Sequence, residues 1–219
     1  MTVKRNIKIL LDVLMTLLLF AVMAYPITGE PLHKQLGIGL LVLFFLHHLL
    51  NWKWYRSITR GRYSTIRRVH LIVNLLLLLS MVGLMASGFL LSTWAYQLGI
   101  HAGAFGRKLH MMSASWGYLL MSAHIGLHWG MFMGMLQKKV KIKLPTILCR
   151  LLAAFMVLYG LYEAAARQLF LKMFWMVDYA FYDFSEPVLL FIIDYIFIMG
   201  TFGWISCYLA NHLKTICLF

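Results

Sequence analysis

Acidic residues are scarce in this chain. Asp and Glu number seven in 219 residues, against twenty Lys and Arg, and charged residues of both signs make up only 12%. A surface so poor in charge cannot solvate a water-soluble domain. Proline is confined to four positions. Pro26, Pro145 and Pro187 stand at the ends of apolar stretches, where a residue without a backbone N–H is tolerated. Cysteine occurs three times. What fills the chain instead is hydrophobic, at 62%. Six stretches approach the roughly 20 apolar residues that cross a bilayer. They fall at about 7–25, 36–52, 70–92, 112–136, 146–166 and 187–210.

The N-terminus, with Lys4, Arg5 and Lys8 before a leucine-rich run, imitates a signal peptide. Asp12 interrupts the apolar region, so the stretch is read as the first transmembrane helix. The formal charge of +13 then sorts by side. Fifteen of the twenty Lys and Arg fall on the N-terminus, the 53–68 loop, the 138–150 loop and the C-terminus. That bias places these segments, and both termini, in the cytoplasm, as expected for a multi-pass protein of the bacterial inner membrane. Orientation and contact with anionic lipid account for the charge, so nucleic acid is not an expected partner. Cys149, Cys207 and Cys217 lie toward the cytoplasmic side, where thiols stay reduced.

Pro26 closes the first helix, and a short outer loop is expected at 27–32. Trp52 and Trp54 mark an inner headgroup interface, followed by a basic loop with a turn at Arg60–Gly61. Small residues in the Gly83–Gly88 run permit close helix approach. In the 167–186 stretch, Phe170, Phe174, Val177, Phe181 and Phe184 make one apolar stripe at helical spacing. That pattern predicts an amphipathic segment lying in the outer interface.

Two stretches carry the same histidine spacing. His33 and His47 are 14 residues apart, as are His110 and His124, and Trp52 and Trp129 each follow the inner histidine by 5. The two copies keep one offset of 77 residues. A step of 14 residues rises about 21 Å along a helix and returns to within about 40° of the same face. Both helices run inward in this topology, so the histidines form an outer pair at one depth, His33 with His110, and an inner pair at another, His47 with His124. A single membrane histidine is usually an interhelical hydrogen-bond partner. Two matched pairs in hydrocarbon call for a shared reason. Neutral imidazole is a strong-field ligand for iron, and one histidine from each side of a porphyrin is a bis-His haem site. No C-x-x-C-H occurs, which excludes covalent c-type attachment. Zinc or copper is the competing metal, disfavoured because about 21 Å separates the two pairs.

Around these positions, His128 lies one turn beyond His124 and aligns with Asn51 of the first copy. It is expected as a neighbour of the ligand or a propionate contact, with replacement of His124 as the alternative. His48 is rotated about 100° from His47, toward a neighbouring helix or headgroups. Lys34, Arg107 and Lys108 stand beside the outer ligands and His70 near the inner end, where propionates need donors and lipid headgroups also bind. The intramembrane acids Asp12, Glu163 and Asp194 are the candidates for exchanging protons with a quinone; packing or hydrogen bonding is the alternative for each.

The 14-residue histidine step on two helices, with SGFLL before the second hairpin, HxxxNW in one copy and HxxxHW in the other, resembles the di-haem membrane b cytochromes. The pattern is most similar to small flavin-associated bacterial membrane cytochromes, and is related to ferric-reductase-type and respiratory cytochrome b membrane domains. The resemblance covers about 7–136. It implies that residues 1–136 would be a four-helix core of two duplicated hairpins holding two b haems. The six apolar stretches together predict an all-α integral membrane fold of six transmembrane helices, in which 137–219, two additional helices with the interfacial segment at 167–186, has no counterpart in the resemblance. The resemblance implies electron transfer from quinol or a cytoplasmic reductant to an extracytoplasmic redox protein, flavin- or haem-bearing. No flavin- or nucleotide-binding soluble domain follows the sixth stretch, so the likeness to a ferric reductase stops at the membrane part. A transporter or scaffold with structural or metal-binding histidines, and a terminal reductase of metal or oxygen, are the alternatives.

Overall fold

The fold follows from how each helix begins, bends and ends. The computed structural model describes residues 3–130, 145–180, 183 and 185–216. Among the described residues all regular structure is helical, in nine segments. These are α1 (Val3–Met23), α2 (Tyr25–Leu50), α3 (Trp52–Ile58), α4 (Thr65–Leu90), α5 (Thr93–Gln97), α6 (Gly103–Leu127), α7 (Thr146–Ala166), α8 (Leu169–Met173) and α9 (Val188–Ile216). Contacts divide the chain into two units, Met1–Arg62 with Phe181–Ile192, and Tyr63–Ala180 with Ile193–Phe219.

Five helices are long and apolar enough to cross a bilayer: Arg5–Met23, Tyr25–Leu50, Thr65–Leu90, Ile147–Ala166 and Val188–Leu213. Their outward faces are apolar too. Leu79, Leu158 and Leu189 are 68%, 70% and 70% exposed, a distribution suited to lipid and not to water. The fourth expected stretch lies on α6 as far as Leu127, and its end, 131–136, falls outside the described residues, as does 138–144 of the basic loop. α6 is less apolar because it is surrounded by protein: Ser113, Ser115, Tyr118 and Ser122 are all buried.

In the first unit α1 packs antiparallel on α2, burying Leu11, Met15, Leu19 and Val22 at steps of four, four and three, with Leu40 and Phe44 opposite. The expected outer loop at 27–32 is not a loop. α2 starts at Tyr25 with Pro26 in its first turn, and Gly29 (φ 66°, ψ 173°) kinks it before Pro31. Only glycine takes that backbone conformation without strain. At the other end α2 stops at Asn51 and the chain turns into α3, so the basic loop is partly helical. Its turn is at Gly61 (φ 81°), and Ser64 then caps α4 by accepting from the Arg67 N–H.

In the second unit α4 and α6 form an antiparallel hairpin. α5 connects them and ends in a Schellman cap: the N–H of Ile100 reaches the Ala95 carbonyl, 2.9 Å, around Gly99 (φ 76°). Gly83 lets the helices close, since a Cβ there would lie 2.6 Å from Ser113 Oγ. Small residues serve the same purpose elsewhere. A Cβ on Gly126 would overlap the Gly203 carbonyl oxygen of α9, and one on Gly160 would come within 2.6 Å of the Phe197 carbonyl oxygen. Hydrogen bonds from Tyr118 Oη to Tyr195 O, 2.5 Å, and from Ser206 Oγ to Ala123 O, 2.9 Å, complete the α6–α9 contact.

The amphipathic stripe at 167–186 needs correction. A stripe requires a continuous helix, and α8 ends at Met173. The N–H of Met176 turns back to the Leu171 carbonyl, 3.0 Å, around Trp175 at φ 66°. Leu169 and Met173 are buried, and Trp116 Nε1 donates to the Met173 carbonyl at 3.0 Å. The described start of the segment is therefore packed on α6. Phe181 and Phe184 lie outside the described residues.

Candidate functional site

Three candidate ligand histidines, His47, His110 and His124, meet an oxygen acceptor from their own hairpin. In the first unit, Lys8 and Asp12 lie one turn apart on α1 and face Asn51 and His47, one turn apart at the end of α2. Asp12 Oδ1 is 2.8 Å from His47 Nδ1, and Lys8 Nζ donates to Asn51 Oδ1 at 2.7 Å. Asn51 Nδ2 donates to the His47 carbonyl at 2.9 Å and lies 3.4 Å from His47 Nε2. Near the other end of α2, the His33 ring sits edge-on to Tyr25, centroids 5.2 Å apart.

In the second unit, His124 Nδ1 is 2.8 Å from Asn74 Oδ1. His110 Nδ1 is 3.1 Å from Ser87 Oγ, whose hydroxyl donates to the Leu84 carbonyl at 2.9 Å. With its own proton committed, Ser87 accepts from His110. Both α6 histidines therefore carry their proton on Nδ1 and their lone pair on Nε2. A ring held by an Nδ1–H bond is the usual state of a histidine that binds a metal through Nε2.

The neighbouring residues sort differently. His48 Nδ1 lies 2.5 Å from the Tyr55 hydroxyl. Burial pushes the Tyr55 phenol up from its ordinary value, so it remains protonated. The phenol is the stronger acid of the two and donates, which puts the His48 proton on Nε2, opposite to the α6 pair. His128 caps α6; its ring is 4.8 Å from His124 and 5.1 Å from His70, both edge-on. Trp52 and Trp129 are exposed, at 56% and 45%, as expected of interface tryptophans. Lys34 pairs with Glu30, 2.6 Å, Lys108 with Asp178, and Arg107 stacks on Tyr179 at 5.0 Å. The cations beside the outer histidines thus already have protein partners. Among the described residues, no three His, Cys, Asp or Glu side chains converge as a metal ion would need.

The three intramembrane acids separate into two roles. Asp12 orients His47. Glu163 and Asp194 meet around Arg167: Asp194 is buried and bonded to Arg167, Tyr159 Oη donates to it at 2.6 Å, and Glu163 lies 3.7 Å from Arg167 Nε. Lys172 Nζ donates to the Arg167 carbonyl at 3.0 Å. This cluster ties the end of α7 to α9.

Asn74 and Ser87 were not singled out by spacing as histidine partners. Their signal was the hairpin itself: in an antiparallel pair, the residue opposite each histidine is found by reflecting its number through the turn. Comparison with protein-family models, curated proteins and solved structures finds no match.

Proposed function

We propose that the chain is a membrane electron-transfer subunit that holds two b-type haems, with His33 and His110 as the outer ligands and His47 and His124 as the inner ones. The pairing rests on the 77-residue repeat. The observation that carries the reading is the anchoring of His47, His110 and His124 through Nδ1. A histidine used only as an interhelical link gains nothing from having the same nitrogen engaged at three sites. A histidine that would hold haem iron needs it, because the bond sets the tautomer and the ring plane. Haem iron with two such ligands supplies one-electron chemistry with no open position for a substrate.

The protein's own work is to orient the rings, exclude water and carry the helices across the bilayer. The donor is a quinol or a cytoplasmic reductant, and the acceptor an extracytoplasmic redox protein. The basic segments face the cytoplasm of a bacterial inner membrane. The Glu163–Arg167–Asp194 cluster serves packing.

The test is an optical spectrum of the purified chain. Dithionite reduction gives b-type alpha bands with about two haems per chain. His33→Ala or His110→Ala removes one centre and leaves the other. A folded chain without a chromophore returns the histidines to a transporter or scaffold. Turnover of metal or oxygen with no partner present would instead identify a terminal reductase.

A further inference from the structure

The contacts of Lys8, Asn51, His47 and Asp12 assign their own protons. A lysine only donates, so Lys8 at 2.7 Å identifies the Asn51 atom it meets as the amide oxygen. The Asn51 NH₂ therefore faces α2, where it donates to the His47 carbonyl and lies 3.4 Å from Nε2. An ionised carboxylate only accepts, so the His47 proton is on Nδ1 and points to the Asp12 carboxylate at 2.8 Å. His124 and His110 bond neutral oxygens, the Asn74 amide and the Ser87 hydroxyl. Asp12 is the anionic acceptor of the set.

On the haem reading above, we propose that Asp12 is a positioning residue that sets the order of the two reduction potentials, with the His47 centre the lower. A carboxylate drawing on the Nδ1 proton makes Nε2 a stronger donor, and a stronger donor favours the oxidised metal. The carboxylate's own charge acts in the same sense. Lys8 opposes it, but meets the ring only through Asn51 and so acts from farther away. With the basic segments in the cytoplasm, the gradient falls from the inner face to the outer. That favours a donor at the cytoplasmic end and an acceptor outside.

The experiment is an optical redox titration of the full chain in lipid nanodiscs, parent against Asp12→Asn. That change keeps an oxygen for the Nδ1 proton and removes the charge. The lower midpoint rises by at least a tenfold shift of the one-electron equilibrium, about 59 mV, and the upper midpoint stays. Asn74→Asp places a second carboxylate on the same centre and lowers the same midpoint. An unmoved lower midpoint in Asp12→Asn, or a shift of the upper one alone, overturns the proposal. If Asp12→Asn does not assemble, Asn74→Asp decides: no downward shift of the lower midpoint overturns it. A parent chain without haem absorbance fails earlier, and refutes the haem reading itself.

Discussion

Asp194→Ala is the sharpest test of the buried charge cluster. The Asp194 side chain is 3% exposed and its partner Arg167 17%, so neither is well placed to regain solvation when the other is lost. Truncating one member of a buried pair typically costs about 3–5 kcal/mol, because it leaves an uncompensated charge. Two features adjust that figure in opposite directions. Glu163, 3.7 Å from Arg167 Nε, takes up part of the charge. Tyr159 loses the acceptor it holds at 2.6 Å, and an orphaned hydroxyl adds roughly 1–3 kcal/mol. The expectation is therefore a loss of about 3 kcal/mol or more, read as a lower midpoint when SDS unfolds the protein in mixed micelles. Asp194→Asn keeps an acceptor for Tyr159 and should lose less. The double change Asp194→Leu with Arg167→Met removes the pair together and should recover part of the loss, staying below the parent by roughly the 1–3 kcal/mol of the orphaned Tyr159 hydroxyl and of Glu163 left without Arg167. A single change to Ala costing less than about 1 kcal/mol, or a double variant as unstable as Asp194→Ala, would refute the electrostatic account.

Gly126→Ala should destabilise by about 1–3 kcal/mol, since the new methyl overlaps the backbone carbonyl of Gly203. Gly37→Ala, where a Cβ meets nothing within 4 Å, should be neutral or slightly stabilising in the same unfolding assay. Burial, and then the charge of Arg167, hold the Lys172 ammonium below its ordinary value of 10.5. The unfolded chain therefore binds more protons near that value, and stability rises as pH climbs from the depressed native pKa toward 10.5. Lys172→Met should flatten that rise in the unfolding midpoint relative to the parent. On the haem reading, Asn74→Leu, which removes the acceptor of His124 Nδ1, should weaken retention of the inner haem about 10–100-fold, measured as haem transfer to apomyoglobin; unchanged retention would separate Asn74 from the proposed site.

Helix identity was legible because long apolar runs leave few alternatives. The stretch at 146–166 coincides with α7, where Pro145 fixes the start. Where conformation depended on one backbone dihedral, spacing was blind. Gly29 turned an expected loop into a kinked helix start, and Trp175 ended a helix that the phenylalanine stripe had carried on to Phe184. The histidines stood out by repetition, but their partners did not. Asp12, Asn74 and Ser87 are ordinary as single letters and become meaningful only across a helix contact. The same holds for Glu163 and Asp194, whose common partner Arg167 is evident only once the helices are placed together.

The antiparallel register of each hairpin also bears on the order of assembly. Asp12 meets His47 across α1 and α2, and Ser87 and Asn74 meet His110 and His124 across α4 and α6. Every one of these contacts lies within a pair of helices joined by a short connection, so it forms as soon as that pair inserts and closes. Ring orientation need not await the other hairpin. The rotamer freedom of three imidazoles is lost during hairpin closure, and on the haem reading the capture of a cofactor would be opposed by that much less entropy. On this view each hairpin orients its own histidines by itself. The two hairpins, synthesised as separate polypeptides, would retain the ring hydrogen bonds of the intact chain.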